Sequence, residues 1–144
     1  MNVRQACKRD VTTIAADADV AEAARLMLDR HDTFVVVYAK DDSSHTPVGV
    51  VTDGDIVRGH VHGDAPTTRL VRDVMTREPI TAREQDQLED VLWMMQLTGL
   101  SRIAVVDARG RLTGVLALED AQEYKIAHRA NRARASSAAV QRVA

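Results

Sequence analysis

Thr52 and Asp55 stand three residues apart, where the apolar run Val48-Gly49-Val50-Val51 ends and a helical pattern begins. An ionised carboxylate in such a place can accept two hydrogen bonds at once, each charge-assisted bond being worth roughly 1.5–3 kcal/mol. A threonine hydroxyl at a helix start lies among free backbone N–H groups, where the helix dipole favours an anion such as phosphate. Thr-x-x-Asp is also a helix cap with an acidic third residue, a role that needs no ligand. On these residues alone, ligand contact and cap both stay open. Arg58, in the same helical stretch, and Arg102 carry planar, delocalised cations suited to phosphate. Solvated surface arginine is the plain alternative for both.

Other chemistry is poorly represented. Cys7 is the single cysteine, so an intramolecular disulfide and every multi-cysteine zinc pattern are excluded, and it reads as a small core residue. His60-x-His62 resembles a metal pair, but residues two apart on a helix do not face each other, and no third ligand is near in sequence. Ser43, Ser44, Ser101, Ser136 and Ser137 lack a base and an orienting partner that the sequence places beside them. A P-loop and a Gly-x-Gly-x-x-Gly loop are absent. No catalytic residue, metal or required cofactor is expected, and the chain reads as a non-enzyme.

These residues need a scaffold, and 144 residues suffice for one domain or two small units sharing a core. Aromatics are limited to Phe34, Tyr38, Trp93 and Tyr124, so the core must be Val, Leu, Ile, Met and Ala. The N-terminus lacks the apolar stretch of a signal peptide. The longest apolar run, Phe34 to Ala39, is six residues against the about 20 of a membrane span. A cytoplasmic protein without membrane contact is expected. Residues 121–144 carry five Lys/Arg and one Glu, whereas the remainder carries fourteen basic and twenty acidic residues. An acidic body thus bears a basic tail. The tail is suited to nucleic acid, to an acidic partner or neighbouring chain, or to a solvated terminal helix.

The chain contains an internal repeat. Val3-Arg4 aligns with Val71-Arg72, Thr13 with Thr81, Val20 with Leu88, Met27 with Met95 and Val37 with Val105, all 68 residues apart. Gly49 then aligns with Gly114 and Asp55 with Asp120, 65 apart, because the polar loop Lys40–Pro47 is longer than its counterpart Ala108–Arg111. Each unit opens with a short extended piece, Val11–Ile14 or Pro79–Ala82. A helix follows, with the stripe Val20, Ala23, Ala24, Met27, Leu28 or Leu88, Val91, Leu92, Met95. Asp19 and Glu22 have the spacing of a capping box. Two strands then form a hairpin, Phe34–Tyr38 with Val48–Val51 and Ile103–Val106 with Thr113–Leu116. A second helix begins near Asp53, with Ile56, Val57 and Val61 on one side, or near Glu119. Leu70, Val71, Val74 and Met75 give the linker 67–76 a helical stripe. The result is an α/β (α+β) chain of two β-α-β-β-α repeats. They are related by a pseudo-twofold axis and packed through their sheets, since neither buries its sheet alone. The expected division is 1–66 for the first unit with its lead-in and 67–126 for the linker helix and second unit. Residues 127–144 form the basic tail, helical or frayed.

The order and residues resemble the tandem CBS-domain family, or Bateman module, over roughly residues 3–125. The resemblance rests on Val48-Gly49-Val50-Val51-Thr52-Asp53-Gly54-Asp55-Ile56-Val57-Arg58, on Val71-Arg72-Asp73-Val74-Met75-Thr76, and on Gly99-Leu100-Ser101-Arg102-Ile103-Ala104-Val105-Val106-Asp107. It implies a flat module whose clefts hold an adenosine-containing ligand (AMP, ADP, ATP or S-adenosylmethionine), a frequent homodimer, and regulation of an as yet unknown target protein. It implies that Asp55 accepts the ribose hydroxyls and that Thr52 lies by the phosphate. Thr13 and Ile14 would line the base pocket, Phe34 would face the base or the core, and Arg58 and Arg102 would approach phosphate. Ala117-Leu118-Glu119-Asp120 keeps the aspartate but lacks the threonine, so the cleft of Asp120 is expected to be weak or empty. His31 stands where the family usually has Gly, and Val36 and Ala104 stand where Pro is common. The competing expectations are a ligand-free structural or dimerisation module, and nucleic-acid binding through the tail.

Overall fold

The computed structural model describes residues 1–62 and 69–143. The first half contains α1 (Val3–Ala6), β1 (Thr13–Ala15), α2 (Val20–Arg30), β2 (Phe34–Tyr38), β3 (Pro47–Thr52) and α3 (Asp53–His62). The second contains α4 (Val71–Val74), β4 (Thr76–Arg77), β5 (Thr81–Arg83), α5 (Leu88–Thr98), β6 (Arg102–Val106), β7 (Leu112–Ala117) and α6 (Leu118–Val143). The junction between residues 66 and 67, and the start of the linker, lie outside the described residues. No described helix is long and apolar enough to cross a membrane.

β1 lies parallel to β2 and β5 to β6, as a helical crossover permits, while β2 pairs antiparallel with β3 and β6 with β7; β4 adds to the edge of β3. The registers repeat: Phe34 faces Thr52 and Arg102 faces Ala117, while Val36 faces Val50 and Ala104 faces Val115. Even the register shift recurs, at Val37/Tyr38 and at Val105/Val106.

Side-chain alternation divides the core. Val35 and Val37 face α2 with Ile14, Ala23 and Met27. Ile103 and Val105 face α5 and α6 with Leu88, Val91, Leu92, Met95 and Ala121. The opposite faces meet each other: Phe34, Val36 and Ala104 form a third cluster, flanked by Val11, Val50, Leu112 and Val115. This cluster packs one sheet against the other.

The lead-ins are exchanged between halves. Val3 of α1 is fully buried in the core of the second half, and Val71 of α4 in that of the first. The backbone follows: Val3 and Arg4 donate to the carbonyls of Asp86 and Glu84, and Val71 and Arg72 to those of Ala18 and Ala16. These contacts repeat at the 68-residue offset.

Three local expectations are corrected. The linker stripe yields only the four-residue α4, because Met75 turns extended and Thr76–Arg77 pairs with β3. Asp19 holds the N-cap position of α2 without a side-chain capping bond. Leu28 and Val57 point outward, at 74% and 61% exposure, while Leu26 and Ile56 pack on the first core in their place. The side chain of Val61 lies outside the described residues.

Two glycines let the exchanged lead-ins seat. A Cβ on Gly49 would stand 2.8 Å from the Thr76 carbonyl oxygen, and one on Gly114 2.7 Å from that of Lys8. Backbone cannot yield as a flexible side chain can. Gly49→Ala and Gly114→Ala are each expected to lose about 1–3 kcal/mol in urea denaturation, the usual cost of overpacking. A loss under about 0.5 kcal/mol in both would contradict the close approach of lead-in to sheet.

Candidate functional site

The last residue of β3, Thr52, and the first turn of α3 carry the site. Thr52 Oγ1 accepts the Asp55 N–H at 3.2 Å, and Asp55 Oδ2 accepts the Thr52 N–H at 3.0 Å. The capping alternative is thus realised, and it fixes the Asp55 carboxylate in a buried position, 9% exposed. Its other oxygen, Oδ1, accepts the Arg58 guanidinium from the next turn of α3. Arg58 is largely solvent-exposed, so this partner is free to swing away, whereas the backbone N–H is not.

Asp55 opens on a cleft of about 570 Å³ between the halves. Thr52, Asp55, Arg58 and Phe34 line it from the first half. Thr76 to Ile80 in part, Gly99 to Ile103, and Glu119 line it from the second. Arg102 Nη1 is 3.0 Å from Asp32 Oδ1 across the halves. Phe34 is 8% exposed; it belongs to the inter-sheet cluster and also lines the cleft.

Thr13 and Ile14 are not brought to Asp55. They line neither this cleft nor its counterpart. Ile14 is buried in the first core, and Thr13 pairs with Val36 inside the sheet. Their expected place is taken by the run Thr76–Ile80, because the lead-ins cross over. Glu78, Ile80, Leu100, Ser101 and Glu119 therefore escaped sequence reasoning. The 68-residue repeat contained the signal, but only in combination with the exchange. Glu78 sits at φ 48°, in the left-handed region, immediately before Pro79. A non-glycine there stores strain of about 1–3 kcal/mol, held beside the cleft by its surroundings.

The pseudo-equivalent cleft of Asp120 measures about 200 Å³ and is lined by Lys8, Asp10, His31, Asp32, Ala117 and others. Asp120 is taken by Lys8 at 2.9 Å. Asp32 accepts Thr12 Oγ1 and the Phe34 N–H besides Arg102. Asp10 accepts Arg30 at 2.7 Å. His31 caps α2 at φ 51°, the left-handed position that Gly99 holds after α5 at φ 72°. The family's glycine is thus a helix C-cap residue, and the imidazole here borders the smaller cleft.

Cys7 packs beside the second core, and burial pushes its thiol pKa up, away from the nucleophilic thiolate. Among the described residues no three His, Cys, Asp or Glu side chains gather to hold a metal. His60 is exposed, and the His62 side chain lies outside the described residues.

The CBS domain family matches residues 3–61 and 71–126. An uncharacterized protein of Methanopyrus kandleri is 28% identical over 121 residues, 83% of this chain and 60% of the relative, so the chain spans well under two thirds of that protein. A CBS domain protein from Pyrobaculum aerophilum, solved with AMP, superposes with a TM-score of 0.74 at 23% identity, covering 83% of this chain and 89% of the other. A CBS domain pair solved with 5′-methylthioadenosine and S-adenosyl-L-methionine gives a TM-score of 0.75 at 22% identity, covering 89% and 98%.

The reciprocal cap makes one prediction that involves no ligand. Thr52→Ala should lower unfolding free energy by about 1 kcal/mol. Ala117→Thr should raise it in the second half if Asp120 then closes the same box. Urea titration reads both, and no loss in Thr52→Ala would show that the Thr52 hydroxyl contributes nothing to the cap of α3.

Proposed function

Since the chain belongs to the CBS domain family, we propose that it is a non-catalytic regulatory module that binds one adenosine-containing ligand in the cleft of Asp55 and signals its occupancy to a partner protein in the cytoplasm. The observation that carries this reading is the state of Asp55. One oxygen is fixed by backbone, the other is held by a displaceable guanidinium, and both sit at the wall of a cleft large enough for a nucleoside. A ribose 2′,3′-diol offers two donors, matching the two acceptors of one carboxylate. Phe34 lines the same cleft. That solved relatives were captured with AMP or with S-adenosylmethionine supports the adenosyl class.

The cleft of Asp120 plays a structural part in this scheme. Lys8, Arg102 and Arg30 satisfy the carboxylates that a ligand would otherwise meet there, so binding would first have to break existing ion pairs. Signalling then follows from differential affinity: the ligand stabilises whichever arrangement of the halves closes the open cleft.

A second copy of the chain is part of the proposal. The α5/α6 face exposes Trp93, Leu97 and Ile126, and the α2/α3 face exposes Leu28 and Val57. Large exposed apolar side chains gathered on paired helices favour self-association.

Calorimetry with AMP and S-adenosylmethionine should give one site per chain. Asp55→Ala should weaken binding at least thirtyfold or so, the value of about 2 kcal/mol for lost charge-assisted bonds, while Asp120→Ala leaves it intact. Two equal sites, or full affinity in Asp55→Ala, would overturn the reading. Light scattering during gel filtration should show a dimer that Trp93→Lys converts to monomer; a monomeric wild type would remove the self-association.

A further inference from the structure

The charge inventory of the Asp55 cleft narrows its ligand. Four carboxylates line it, Asp53, Asp55, Glu78 and Glu119, against two cations, Arg58 and Arg102. Arg102 is engaged by Asp32, and even with Arg58 released from Asp55 by a ribose the lining carboxylates outnumber the cations two to one. Among the described residues, Asp53, Glu78 and Glu119 take part in no ion pair. The N-terminus of α3 begins at the cleft, but it carries its own acids, Asp53 and Asp55, in the first turn. A helix start so furnished is already compensated and attracts an added anion weakly. Nor do the described carboxylates cluster as ligands for a divalent cation that would neutralise a polyphosphate.

From this we infer that the cleft selects adenosine ligands whose 5′ substituent carries no net negative charge, a thioether or a cationic sulfonium, over 5′-phosphates. The inference rests on the adenosyl reading above and sharpens it. The adenine and ribose contacts are common to all these ligands, so discrimination falls on the 5′ end. There each added phosphate brings negative charge toward Asp53, Glu78 and Glu119. These three are exposed, so water weakens the repulsion and salt screens it further.

The test is calorimetric titration of the full chain with adenosine, 5′-methylthioadenosine, S-adenosylmethionine, AMP and magnesium-free ATP at low ionic strength. 5′-Methylthioadenosine and S-adenosylmethionine should bind roughly tenfold tighter than AMP, with ATP weakest. Raising the salt to about 0.5 M should strengthen AMP and narrow the gap. The double variant Glu78→Gln/Glu119→Gln should narrow it at low salt, by several-fold. AMP or ATP binding tighter than 5′-methylthioadenosine overturns this inference and leaves the adenosyl reading standing. A gap insensitive to both salt and the double variant overturns the electrostatic origin and with it the inference. No heat from any of the five, adenosine included, overturns both.

Discussion

A strand that is apolar on both faces must be covered on both. Phe34-Val35-Val36-Val37 has no polar alternation, and neither does Ile103-Ala104-Val105-Val106. One face of each strand is covered by the helices of its own half, through Val35 and Val37 or Ile103 and Val105. The other face, with Phe34 and Val36 or Ala104, finds its cover only on the other sheet. Each fully buried aliphatic side chain contributes about 1.5–3 kcal/mol relative to exposure, so a separated half would forfeit several such terms at once. The pairing of halves, the existence of two clefts at their seam, and the placement of Asp55 beside one of them all descend from this requirement.

Symmetry then supplies two sites, and a handful of substitutions makes them unequal. Where the open cleft has Thr76, the other has Lys8, long enough to reach Asp120. Where one has Gly99 and Leu100, the other has His31 and Asp32, and Asp32 draws Arg102 across the seam. Where one has Thr52, the other has Ala117, which offers the Asp120 N–H no hydroxyl acceptor. These changes leave the hairpin registers equivalent. The duplicated scaffold is therefore kept while one copy of the site is filled by the protein's own side chains.

Much of this was legible beforehand because it is local. Hairpins, repeat offsets and the Thr52/Asp55 pair are written in residues close together in the chain. The helical stripe of α5 held at all four positions, Leu88, Val91, Leu92 and Met95. The failures are non-local. Leu28 fits an apolar spacing yet is left exposed, while Leu26, on another side of α2, packs on the first core beside the exchanged α4. The linker has helical periodicity, but the edge of β3 at Gly49 competes for its backbone and wins after four residues. Thr13 and Ile14 were assigned to the cleft by the family resemblance. The exchange of lead-ins, which no periodicity records, sends the run before the opposite strand there instead.

Arg102 and Phe34 occupy equivalent positions in the two repeats, and both line both clefts. That duplication of contact supplies a physical route between them. On the proposed reading, a ligand in the open cleft that displaces the Arg102 side chain, by contact rather than by charge, loosens its bond to Asp32. Asp32 also anchors the Thr12 hydroxyl and the Phe34 N–H, and Thr12 in turn accepts Arg30. The same displacement therefore reaches the lead-in that runs from α1, whose Val3 is buried in the opposite core. On the proposed reading, occupancy of one cleft would thereby reach the segment that ties the halves together. Coupling of this kind needs no continuous path through the core, only one side chain with two competing partners.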